Sequence, residues 1–169
     1  MTGPSVAFQD LYPDDVAHCY GCGRLNSAGL QVRSFWEVEG ETAIARLTPD
    51  PKYTAVPGYV YGGLIASLID CHGTGTAAGA MARRDAMARR DAETSGEQDG
   101  DVPMPRFVTA SLHVDYRAPT PMGVELVARA TVTEITDRKV ATDITVEAGE
   151  VTVATGRVVA VRMPEHLLG

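Results

Sequence analysis

No run of eighteen or more apolar residues occurs in the chain, so no segment reads as a membrane-crossing helix. The opening MTGPSVAFQD lacks the basic-then-apolar order of a secretory signal, and the protein is expected to be soluble and cytoplasmic. Cysteine is scarce: three residues, an odd number, argue against a disulfide framework and for a reducing compartment. Basic residues are outnumbered, 15 Lys and Arg against 22 Asp and Glu. The resulting formal charge of -7 repels phosphate backbones and anionic lipid, which argues against nucleic-acid and membrane partners. A small anionic ligand remains compatible with this balance where arginines cluster locally. What the chain does have is ordinary for a globular protein: 169 residues, 44% of them hydrophobic, enough for one domain with a sizeable core.

Residues 1–29 are irregular, with Pro4, Pro13 and the stretch CYGCG, and read as a lead-in lying against a single domain over 30–169. LQVRSFWEVE and ETAIARLT alternate with period two around Gly40 and predict two antiparallel strands. PDPKYTAVPG, with three prolines, is loop. From Gly62 to about Arg90 the spacing is helical, and the hexapeptide AMARRD at 80–85 recurs at 86–91, a duplication that extends the helix. The polar stretch 92–105 reads as a mobile loop. FVTASLHVDYRAP, VELVARATVTEITD, KVATDITVEA and VTVATGRVVAVRM then predict four more strands, with Val108, Ala110, Leu112, Val114 and Tyr116 on one face of the first. The fold class is therefore α+β: one long helix wrapped by a curved, mostly antiparallel sheet of about six strands.

At about 100° per residue, with Leu64 as zero, Leu68, His72, Ile65, Thr76 and Ile69 span roughly 0 to 140°, the face expected to lie on the sheet. Asp70 falls near 240° among Gly63, Ala66, Gly73, Thr74 and Ala77. A solvent face would carry lysines and glutamates. A face of small residues lets a second backbone or a slender ligand approach the carboxylate. Gly62 and Asp70 are eight residues apart, about 12 Å along the axis, so one helix does not bring both to one atom. If the free amides of the helix start polarise a carbonyl, the carboxylate acting on it should come from a second copy of the chain. A homodimer with sites at the interface is expected.

These segments resemble the hotdog-fold acyl-CoA thioesterases of the phenylacetate-pathway and 4-hydroxybenzoyl-CoA thioesterase superfamily. CYGCGRLNSAGL at 19–30 looks like the lead-in of one bacterial branch, YGGLIASLID at 61–70 like the family's His-Gly-Gly helix with its acidic residue, and ASLHVDYRAPTPMG at 110–123 like the strand and turn that follow. The resemblance implies a homodimer as the minimum unit, with pairing into a tetramer left open, no metal and no cofactor, and a thioester of CoA or acyl carrier protein as substrate. It implies Asp70 as general base on water or as nucleophile, Gly62 and Gly63 as amide donors to the thioester oxygen, and Thr109 as a hydroxyl holding the water. Val56, Tyr59, Tyr61 and Leu64 would line the acyl pocket. Arg83, Arg84, Arg106, Arg117, Arg138 and Lys139 are candidates for the phosphates of CoA.

The chain departs from the family's pattern at Tyr61, where His is common; a phenol of pKa about 10 donates a hydrogen bond but does not exchange protons at neutral pH. Tyr61 is read as a positioning residue. His72 lies inside the apolar stripe and is expected to be buried and satisfied, and His113 is given no catalytic role. Cys19 and Cys22 have the spacing of a zinc half-site, but no second spaced pair follows, only His18, Cys71 and scattered histidines, so no metal is expected here. A redox pair would open a helix, whereas Gly21 and Gly23 favour a turn capping the dimer or the ligand groove. Two rival functions remain: a non-catalytic acyl-thioester binding protein on the same scaffold, and a hydratase, which would need a His beside Asp70.

Overall fold

The computed structural model describes residues 6–37, 42–92 and 104–164. Its spine is a 31-residue helix, α1 (Gly62–Ala92), which contains no proline and runs through both AMARRD copies. Six strands surround it: β1 (Ser34–Trp36), β2 (Thr42–Leu47), β3 (Phe107–Tyr116), β4 (Leu126–Ile135), β5 (Lys139–Ala148) and β6 (Val151–Arg162). They form one sheet in the order β1-β2-β4-β5-β6-β3, every neighbouring pair antiparallel. The helix touches all six strands, most extensively β3 to β6, so the sheet curls around it without closing. This is the hotdog arrangement.

Size complementarity explains how a helix nests so deeply. Leu64, Ile65, Leu68, Ile69 and Met81 project from α1 into a buried cluster to which the strands contribute Ala43, Ala45, Ala128, Ala130 and Ala160 along with Val140, Ile144 and Val158. Small residues on the concave side leave room for the helix's branched side chains, and close packing follows. Removing this surface from water is the main stabilising contribution to the fold.

Three expectations need correction. Residues 30–33 do not extend β1, because Leu30 N–H donates to the Tyr20 carbonyl and Val32 N–H to that of Gly21, which ties this stretch to the lead-in instead of β2. The face of α1 opposite the first stripe is not open throughout. Gly73 and Ala77 are buried, and a Cβ on Gly73 would come 2.6 Å from Val158 Cγ2, so the curled sheet covers that part as well. Between residues 63 and 79 of α1, Gly63, Ala66, Ser67, Asp70 and Thr74 stay half-buried, a narrow stripe centred on Asp70. The third correction is a β-bulge in β3 between Thr109 and Ser111. It breaks the alternation, so that Val108 and Ala110 do not share a face with Leu112, Val114 and Tyr116. The mobile loop expected over 92–105 falls mostly on 93–103, outside the described residues, as does the turn at Gly40.

Candidate active site

The chain enters α1 tightly. Tyr61 N–H donates to the Tyr53 carbonyl at 2.8 Å and Leu64 N–H to that of Tyr61 at 3.0 Å, fixing the first turn against the proline-rich loop. Tyr116, at the end of β3, donates its hydroxyl to the Gly62 carbonyl at 2.7 Å. A Cβ at Gly62 would come 3.2 Å from the Tyr116 ring, and one at Gly63 only 2.2 Å from Tyr61 Cε1. The two glycines therefore let two tyrosine rings lie directly on the backbone of the helix start. Tyr116 ionises less readily than a free phenol, first because of burial and then because Tyr61 is near. Beside the rings opens a cleft of about 340 Å³, lined by Val60, Gly62, Ile65, Tyr116 and the turn 117–120.

The expected lining residues divide between two places. Val56 and Tyr59 are exposed on a loop held to the 120–122 turn by the Val60–Thr120 and Met122–Gly58 backbone bonds, at the rim of the helix start. Tyr61 is likewise exposed. Leu64 is only 1% exposed and lines a separate cavity of about 140 Å³ beneath residues 47–53. It belongs to the core.

Asp70 sits two turns along the helix, half-buried, and the Thr109 hydroxyl donates to its Oδ1 at 2.5 Å. The bulge makes this contact. Thr109 pairs with Ala160, Leu112 with Val158 and Val114 with Gly156, so the extra residue Ala110 turns Thr109 to the helix side along with the residues beyond it. The carboxyl is held above the usual aspartate range, chiefly by burial; the Thr109 hydrogen bond pulls it back and the Cys19 sulfur adds to the rise. Within one chain the carboxylate and the helix start stay about 12 Å apart along the axis.

Beside Asp70 the fold does something that pairwise spacing did not reveal. Cys71 brings its sulfur to the CxxC turn, and the sulfurs of Cys19, Cys22 and Cys71 all lie within 4.8 Å of one another. Hydrogen bonding among the three sulfurs favours the thiolate at Cys19, first through Cys22 and then through Cys71, and disfavours it at the other two: Cys22 is pushed up to about 12 and Cys71 is raised as well.

His72 is fully buried, its Nδ1 2.9 Å from Ser34 Oγ and its Nε2 3.2 Å from the Ala43 carbonyl. Gln9 completes this network, donating to Ser34 Oγ and accepting from Ser34 N–H. Desolvation lowers the imidazole to about 4, against a weaker opposing effect of the Ala43 hydrogen bond. It does not reach Asp70. His113 is exposed, 3.4 Å from Asp115. Of the cations expected at a phosphate, Arg84 pairs with Asp85 and Asp137, Arg117 with Asp115 and Lys139 with Glu134. Arg83 stacks on Trp36 and Arg106 on Tyr12, the latter half-buried with its Nε shielded from solvent.

A helix cradled in a curled, unclosed antiparallel sheet defines a class of protein, and comparison bears out the fold. A family model described as the thioesterase superfamily matches residues 57–155, and the chain belongs to that superfamily. Thioester hydrolysis is the class of activity that goes with this membership. The chain is 45% identical to a thioesterase superfamily protein from Shewanella loihica PV-4, over 89% of this chain and 98% of that one, with a TM-score of 0.60. It also shares its fold with an uncharacterised protein from Pyrococcus horikoshii (20% identity, 86% and 93% covered, TM-score 0.62). A thioesterase from Haemophilus influenzae has the same fold (14% identity, 84% and 85% covered, TM-score 0.60). No curated protein matches the chain. Among the described residues no helix is long and apolar enough to cross a membrane.

Proposed function

We propose that the protein hydrolyses an acyl thioester, of CoA or of an acyl carrier protein, at sites shared between two copies of the chain. The observation that carries this reading is the Thr109–Asp70 pair, a partly desolvated carboxylate at the centre of a half-buried stripe of small residues on α1. Asp70 from one protomer either takes a proton from water or attacks the thioester carbonyl itself. The Gly62 and Gly63 amides of its partner stabilise the oxyanion, since first-turn N–H groups have no intrahelical acceptor. Where water attacks, collapse of the tetrahedral species yields the carboxylic acid and the thiolate, which takes back the proton that Asp70 accepted; where Asp70 attacks, collapse expels the thiolate and leaves a mixed anhydride, which water then hydrolyses to the carboxylic acid and free Asp70. Tyr61 and Tyr59 position the substrate at the helix start.

Dimerisation is supported by β3. It forms an edge of the sheet over ten residues, and it leaves Val108, Leu112 and Tyr116 at least 36% exposed. A long unpaired edge strand with exposed apolar side chains on both of its faces calls for a cover. A second copy laid along the Asp70 stripe would supply one and would bring a helix start toward each carboxylate.

Thiol release from a panel of acyl-CoA thioesters, followed with a thiol-reactive dye, tests the reading. Turnover is expected; tight binding of the thioesters without release would make the protein an acyl-thioester binder instead. In the same assay, Thr109→Val should lower kcat by about 10- to 100-fold, the range for losing a hydrogen bond to a charged group, while Thr109→Ser restores most of it. Equal activity of the Val and Ser variants would show that the hydroxyl has no part in the reaction.

A further inference from the structure

The CxxC turn is not used by the hydrolytic chemistry, yet it is built with care. Gly23 N–H closes it onto the Cys19 carbonyl at 2.9 Å, and a Cβ at Gly21 would come 2.2 Å from Cys71 Sγ. Only a residue without a side chain lets the turn rest on that sulfur. Two thiols thus come from a turn and a third from a helix 52 residues away, with Cys19 and Cys71 Sγ 4.0 Å apart and all three sulfurs within 4.8 Å. Tetrahedral zinc–thiolate bonds of about 2.3 Å put sulfurs about 3.8 Å from one another, so the cluster needs little movement to close on an ion. Three soft donors select a thiophilic transition metal over magnesium or calcium.

We infer that Cys19, Cys22 and Cys71 bind one zinc-class divalent ion, which staples the lead-in to α1 beside Asp70. Cys22 and Cys71 are buried and Cys19 is half-exposed, so the open coordination position lies on the Cys19 side. No His or carboxylate among the described residues joins the cluster, which leaves the fourth position of a bound ion to solvent. The ion makes the junction between the lead-in and the helix independent of the weak thiol hydrogen bonds that otherwise hold it.

The full chain, purified under reducing conditions without chelator and then loaded with cobalt(II), tests this directly. About one cobalt per chain is expected, with the intense near-ultraviolet charge transfer of thiolate ligands. Saturation should raise the thermal midpoint by about 5–10 °C at a hundredfold excess over the dissociation constant. Cys22→Ser should weaken binding by at least about 100-fold, beyond what changes outside the ligand sphere produce. Cys19→Ser, at the half-exposed position, should do the same with an unchanged far-ultraviolet spectrum, which separates lost binding from lost folding. Cobalt bound without thiolate charge transfer, no retention on desalting, or a disulfide between any two of the three sulfurs in the reduced preparation would each overturn the site. None of these readouts depends on thioester hydrolysis.

Discussion

Asp70→Asn is expected to lower kcat for thioester hydrolysis by about 10²- to 10⁴-fold, the usual contribution of a group that takes or carries the reacting proton. Asparagine keeps the size of the side chain and can still accept the Thr109 hydrogen bond, so the change removes the charge and the basicity and little else. Substrate affinity, measured with a non-hydrolysable thioether analogue, should stay within a few-fold, because the lost interaction acts on the reaction rather than on the bound ground state. The stability of the variant adds a second reading. Burial holds the Asp70 carboxyl above its ordinary range, which means that the folded chain disfavours the charge that the proposed reaction would use. A neutral amide in its place carries no such cost, and the thermal midpoint of the variant should equal or exceed that of the parent. A variant that turns over within threefold of the parent would remove Asp70 from the chemistry and leave acyl-thioester binding as the better account.

The second large effect concerns acid stability and falls on His72. In the folded chain this imidazole is fully buried and its proton affinity is depressed to about 4, against 6.5 for an unperturbed group. The groups facing it are Ser34 Oγ and the Ala43 carbonyl, with Gln9 beyond, and none is charged. The unfolded chain therefore takes up a proton below pH 6.5 that the folded chain refuses until about pH 4. The stabilising contribution is fully present above the unfolded value and is lost as pH falls across this window. Its size is roughly 3 kcal/mol, since each tenfold weakening of proton binding is worth about 1.4 kcal/mol. Urea unfolding at a series of pH values from 7.5 to 4 should show this slope for the parent and a shallower one for His72→Gln, which keeps polar atoms in the network but does not titrate. Identical slopes for the two would mean that other groups govern acid unfolding. The same burial explains why His72, though only two residues from Asp70 in sequence, takes no part in the site.

How much of this was legible in the sequence differs from element to element. The span Lys139–Ala148 of β5 coincides with the alternating stretch KVATDITVEA, and α1 begins at the Gly62 predicted for it, because both rest on periodicities longer than any local competitor. Strand β1 was overestimated because alternation in LQVRSFWEVE records which residues are buried but not which partner takes their backbone, and the lead-in turn takes residues 30 and 32. The β3 bulge was invisible for a related reason: one unpaired residue, Ala110, reverses the facing of everything before it. That reversal puts Thr109 on Asp70, a direct contact that the resemblance, which implied Thr109 only as a hydroxyl holding the water, did not contain. The double glycine was legible as a close approach but not as an approach of Tyr61 and Tyr116. Cys71 was the hardest to read, since a metal-like cluster assembled from a turn and a helix far apart in sequence has no spacing signature.

The central claim is that each active site takes its carboxylate from one protomer and its amide donors from the other, and mixing two inactive variants tests it most directly. One variant is Asp70→Asn. The other is Gly62→Pro, which removes an amide at the first helical position, where proline is tolerated, and needs only a small adjustment of the Tyr116 ring 3.2 Å away. In a mixed dimer with shared sites, one site combines both lesions and the other combines none, so refolding the two together in equal amounts should restore about a quarter of parental activity from two preparations that are each nearly inactive. No recovery on mixing, with mixed dimers demonstrated by mass, would contradict the account, since it would place the acid and the donors of each site on a single chain.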